Sequence, residues 1–104
     1  ASWCGPCRAE NPNVVAAYQK FRSKNFTVLG VSLDNDGDKW KAAIAADART
    51  WTPISDLQGW ESIAARDYSV QSIPTNFLVD PTGKIIARDL RGPALEAQLA
   101  QVLK

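Results

Sequence analysis

Two cysteines stand three residues apart in Trp3-Cys4-Gly5-Pro6-Cys7, and the chain has no other cysteine and no histidine. That spacing is close to one helical turn, and at a helix start it brings two sulfurs to bonding distance without straining the backbone. Gly5 permits the tight entry into the helix. Pro6 lacks an amide hydrogen and suits a first-turn position, where that hydrogen would have no partner. A cysteine at a helix N-terminus faces unpaired N–H groups and the positive end of the helix dipole. Both favour the thiolate, which is the attacking species. Cys4 sits further out and is the expected nucleophile; Cys7, one turn inside, is the expected buried, resolving thiol. The chemistry is thiol–disulfide exchange, and it needs no metal or organic cofactor.

Other uses of the pair fit poorly. A structural zinc site needs four ligands, and two cysteines without histidine supply two; an iron–sulfur cluster fails for the same reason. A c-type haem attachment needs histidine after Cys7, where Arg8 stands. A plain structural disulfide is the serious alternative, but so short a loop removes little entropy from the unfolded chain.

The elements that must carry the pair alternate between helix and strand. A helical pattern follows the cysteines, with Val14, Val15, Tyr18 and Phe21 on one face. Phe26 to Leu33 reads as a buried strand. Asp34 to Asp38 is a polar, solvated turn able to cap a helix in which Trp40, Ala43, Ile44 and Ala48 share a face. Trp51 to Leu57 is a short extended piece, and its Pro53 argues for an edge. Trp60 to Tyr68 reads as a short helix. Asn76 to Asp80, a turn at Pro81-Thr82-Gly83-Lys84 and Ile85 to Leu90 form a hairpin. After Gly92-Pro93 a last helix places Leu95, Leu99, Val102 and Leu103 on one face. Such alternation indicates one layered α/β domain over residues 1–104.

Composition narrows the function further. The 12 basic and 11 acidic residues are mixed along the chain, so no basic block marks a nucleic-acid partner. No stretch approaches the roughly 20 apolar residues needed to span a bilayer. A chain that opens inside its motif looks cut, and an upstream segment is expected. Asp34-Asn35-Asp36-Gly37-Asp38 fails as a calcium loop because its glycine is misplaced and Ala45 occupies the position of the closing glutamate. Asn25-Phe26-Thr27 matches a glycosylation acceptor, irrelevant in a bacterial source.

Trp3-Cys4-Gly5-Pro6-Cys7 with Pro12 five residues on resembles the active-site helix of the thioredoxin-like superfamily, in which such a proline bends the helix. Ile73-Pro74-Thr75 before a strand and a glycine-containing hairpin resembles that superfamily's cis-proline segment. The Val31-to-Asp56 stretch, the run Trp51 to Leu57 and the ending Leu90-Arg91-Gly92 are similar to the exported TlpA/ResA-type, AhpC/TSA-related branch, in its Bacteroidetes-like form. The resemblance covers the whole chain. It implies a thioredoxin-like fold: a central mixed sheet with flanking helices. The strand that normally precedes the CxxC motif, with its buried acid, is absent here. That strand normally lies between the first strand of this chain and the Asn76 strand, whose inner edges are then expected to be unpaired. The parent protein or another chain is expected to supply it, which leaves room for a dimer or strand exchange.

The resemblance also assigns roles. X-Pro bonds are cis in only about 5–6% of folded cases, so a trans turn is the residue-level expectation at Pro74, and the resemblance reverses it. It implies that Ile73 offers its backbone to an extended substrate segment opposite the cysteines. Trp3, Gly5 and Pro6 form an apolar rim beside it, and Gly92 lines the groove. Glu10 lies three residues past Cys7 on the same helix face. An acid there resembles the TlpA/ResA branch and can act as general base for Cys7; it is equally an acid favoured by the helix dipole.

The expected function is disulfide exchange with protein substrates through Cys4 and Cys7. Gly5-Pro6 resembles the reducing members, so the expected direction is reduction, supplied by an upstream electron-donor protein. Two alternatives are a thiol peroxidase of peroxiredoxin type and a non-catalytic thioredoxin-like binding module. By resemblance the compartment is a bacterial cell envelope or periplasm; the cytoplasm is the alternative.

Overall fold

The structure, a computed structural model, describes residues 1–103. Helix α1 runs over Gly5–Phe21. Cys4 is its N-cap in an extended conformation, and its sulfur accepts the Cys7 N–H at 3.2 Å. The helix continues through Pro12, which has no N–H to offer the preceding turn. It ends in a single tighter turn, Arg22–Lys24, with Asn25 left-handed beyond it.

The main core lies between α1 and the last helix, α4, over Pro93–Val102. Ala17 and Phe21 pack against Leu95 and Leu99, with Val14, Phe26, Leu78, Leu90 and Leu103 around them. The spacing 14, 17, 21 on one helix and 95, 99, 103 on the other puts each set on one face. Tyr18 turns instead toward Trp51, edge to face at 5.7 Å, so the expected apolar stripe of α1 serves two neighbours. Val102 also leaves the expected stripe and is exposed.

Strand β1, Leu29–Val31, pairs in parallel with β2, Thr52–Ile54. Helix α2, Gly37–Ala46, connects them, capped by Asp36, whose Oδ1 accepts the N–H groups of Asp38 and Lys39. Gly30 lets Trp51 lie close on β1: a Cβ there would sit 2.8 Å from Trp51 Nε1. Two expectations are corrected here. Phe26 to Leu33 is not a buried strand; only 29–31 pair, and Leu29 and Val31 are exposed, because β1 has one hydrogen-bonded neighbour. Ala48 lies beyond α2 with φ +53 and does not share its face.

The expected helix over 60–68 is a tight turn, Gly59–Glu61, followed by α3, Ile63–Asp67, which Ser62 caps. Strands β3, Phe77–Val79, and β4, Ile85–Arg88, form an antiparallel hairpin. Asp80 holds its turn by accepting the N–H groups of Thr82 and Lys84. Past β4, the Asn76 side chain donates to the Leu90 carbonyl and accepts the Leu90 N–H. Among the described residues the two strand pairs are separate sheets, with no strand between β1 and β3. No helix among these residues is long and apolar enough to cross a membrane.

Candidate active site

Cys4 and Cys7 are joined in a disulfide at the tip of α1, with Cα atoms 5.2 Å apart. Both are buried, at 5% and 9% exposure. The expectation that Cys4 stands further out therefore holds for its place on the helix, as N-cap, but not for its exposure. Gly5 and Pro6 are exposed, and Trp3 is half-exposed.

Two side chains of α1 brace the helix start. Arg8 Nε donates to Asp47 at the end of α2 at 2.5 Å, and its Nη1 donates to the Ser2 carbonyl. Asn11 adds a donor to the same carboxylate at 2.8 Å. Burial pushes the Asp47 carboxyl up, but Arg8 and Asn11 outweigh it and hold it below the ordinary carboxylate value.

Asp34 braces the segment before the cysteines. It is 1% exposed, a correction to the solvated turn expected at 34–38. The Ser2 N–H donates to both carboxylate oxygens at 3.0 Å, and the Ser2 hydroxyl donates to Oδ1. Ser32 Oγ donates to Oδ2 at 2.5 Å. Burial raises the Asp34 pKa, yet these hydrogen bonds outweigh it and hold the carboxyl below its ordinary value. The sequence offers one cue for Asp34: an acid just past the C-terminal end of a parallel strand, where α/β domains build their sites.

The remaining candidates meet at a second point. The Ile73–Pro74 peptide is cis, and both residues are half-buried. Arg91 Nη2 donates to the Pro74 carbonyl, and the next residue, Gly92, donates its N–H to Glu10 Oε1 at 2.7 Å. Glu10 Oε2 accepts from Asn13 at 3.1 Å. Glu10 thus ties α1 to the loop that also holds Pro74. Trp60 stands 6.3 Å from Trp3, ring centre to ring centre.

Known structures share this fold. A thiol-disulfide oxidoreductase from Bacteroides fragilis superposes with a TM-score of 0.92 at 40% identity, over 99% of this chain and 76% of that one. The thioredoxin domain of a thiol-disulfide oxidoreductase from Bacteroides vulgatus does so at 0.91 and 33% identity, over 99% and 74%. In sequence, the thiol-disulfide oxidoreductase ResA of Bacillus thuringiensis is 29% identical over 99% of this chain. The chain spans 57% of that relative's length.

A bonded cysteine pair thus stands at the head of the first helix of a thioredoxin-like fold. Residues 1–88 match the AhpC/TSA family, and the chain belongs to it.

Proposed function

We propose that this domain exchanges disulfides with protein substrates and runs as a reductase. The Cys4 thiolate attacks a substrate disulfide, one substrate sulfur leaves as thiolate, and a mixed disulfide to Cys4 forms. Cys7, deprotonated, attacks the Cys4 sulfur. The second substrate thiolate leaves, and the Cys4–Cys7 disulfide remains. The carrying observation is that bonded pair at the N-terminus of α1, with the Cys7 N–H directed at the Cys4 sulfur. The donated hydrogen bond and the helix dipole both stabilise negative charge on Cys4. An upstream electron-donor protein returns the pair to the dithiol. Glu10 is the proposed proton acceptor for Cys7, and Trp3, Gly5, Pro6, Ile73, Pro74 and Gly92 are the proposed substrate contacts. The likeness of Val31 to Asp56 to the exported branch supports a place in a bacterial cell envelope.

A strand from outside these residues is proposed between β1 and β3, supplied upstream or by a second chain. Its support is the separation of the two sheets.

Insulin reduction with a dithiol donor, run beside peroxide consumption, tests the function. Reduction of insulin without peroxide turnover is the expected result. Cys7→Ser should accumulate a substrate linked through Cys4, and a Cys7→Ser protein that captures no partner disulfide counts against the scheme.

A further inference from the structure

Trp3 and Trp60 pack as a tilted pair with planes at 48°, within the range of favourable aromatic contact. Each is 50% exposed. A pair serving the core alone would bury its rings; these two keep half their surface in water, and Trp3 adjoins Cys4. The pair is also held in place. Asp34 takes the N–H and hydroxyl of Ser2 on its carboxylate, and its backbone carbonyl accepts the Gly59 N–H at 3.2 Å. Ser2 precedes Trp3 and Gly59 precedes Trp60, so one buried residue fixes the neighbour of each indole. Gly59 has φ +57, a conformation that side-chain-bearing residues rarely adopt.

We propose that Trp60 is a specificity-determining residue: with Trp3 it forms a two-indole platform that receives an apolar side chain flanking the reacting cysteine of an extended protein substrate. Asp34 is the positioning residue of that platform. The inference rests on the exchange reading above. A small disulfide can reach the sulfurs without covering the indoles, whereas a polypeptide around a disulfide must lie on the surface beside Cys4. Indole faces reward an apolar residue there and give an absent side chain nothing. Because the platform is held before substrate arrives, little ordering opposes the contact.

The test compares three oxidised substrates: bis(2-hydroxyethyl) disulfide, a peptide disulfide with phenylalanine beside cysteine, and the same peptide with glycine there. Trp60→Ala is expected to lower kcat/KM for the phenylalanine peptide about tenfold, or about 1.4 kcal/mol, through KM. Its rates on the glycine peptide and the small disulfide should match the parent's. Trp60→Phe should retain most of the preference. Trp60→Gln should reproduce the selective loss in a long polar side chain, should the alanine variant fail to fold. Asp34→Asn should narrow the phenylalanine-to-glycine ratio through KM as well. An unchanged ratio in Trp60→Ala or Trp60→Gln overturns the proposal, and so does an equal loss on all three substrates, which is the mark of a structural role. A parent protein inert toward the small disulfide refutes the exchange reading, and this inference with it.

Discussion

At the residue scale, the candidate site depends on carboxylates with distinct jobs. Glu10 Oε1 accepts the Gly92 N–H, so Glu10→Ala should unfold more easily by about 1.5–3 kcal/mol, the range for a hydrogen bond to a charged group. Glu10→Gln keeps an acceptor for Gly92 but cannot take a proton from Cys7. As the proposed base, it should slow resolution of the mixed disulfide and shift the pH–rate profile, measured by single-turnover release of substrate thiol. An unchanged profile would leave the Gly92 anchor as its role. Asp34 works through folding. Its carboxyl lies below the ordinary aspartate value, so folding favours the ionised form. The stabilisation is full above the unfolded value of about 4 and is lost as pH falls through the lower folded value. Urea unfolding of the parent and Asp34→Asn should differ at pH 7 by about 1–3 kcal/mol, since an amide in that place leaves buried donors competing. The gap should close as pH falls below the unfolded value and through the lower folded one.

At the element scale, two features make local tests. Asp36 caps α2 through two backbone N–H groups, and Asp36→Ala should lower stability by about 1 kcal/mol in chemical denaturation. Gly30 lies under Trp51, and a methyl there would sit 2.8 Å from the indole nitrogen. Gly30→Ala should cost about 1–3 kcal/mol and weaken the β1–β2 pairing, read as faster hydrogen exchange of the Ser32 amide, which donates to Ile54. The elements themselves were largely readable. Asp36 before a helical pattern, Pro81-Thr82-Gly83 between two apolar runs and Gly92-Pro93 before the last helix are local signals, and each sits where the backbone changes direction. Strand length was less readable. Phe26 to Leu33 has the composition of a buried strand, but pairing depends on what lies alongside, and only 29–31 pair in register with β2.

At the scale of the whole molecule, α1 and α4 clasp one small core. Leu99 is fully buried within it, and Leu99→Ala should lower the unfolding free energy by about 2–5 kcal/mol in denaturant titration. The two-sheet arrangement leaves Leu29, Val31, Ile54 and Val79 exposed. A chain carrying the proposed upstream strand should melt higher and resist association better than residues 1–104 alone, measured by calorimetry and gel filtration.

The sequence by itself determined what is local. Three-residue spacing, a proline in the first turn and a cysteine at the cap place two sulfurs at one helix tip, because helical geometry acts over a single turn. Periodicity likewise marked Leu95 and Leu99 as core. Tertiary structure alone decided what depends on distant partners. Asp34 looks like one polar residue in a polar run, and only the approach of Ser2, 32 residues away, makes it a buried anchor. Trp60 gains meaning from Trp3, and Glu10 from Gly92, 82 residues along the chain. Such contacts leave no periodic trace, since packing brings them together and neither spacing nor residue type along the chain encodes the meeting.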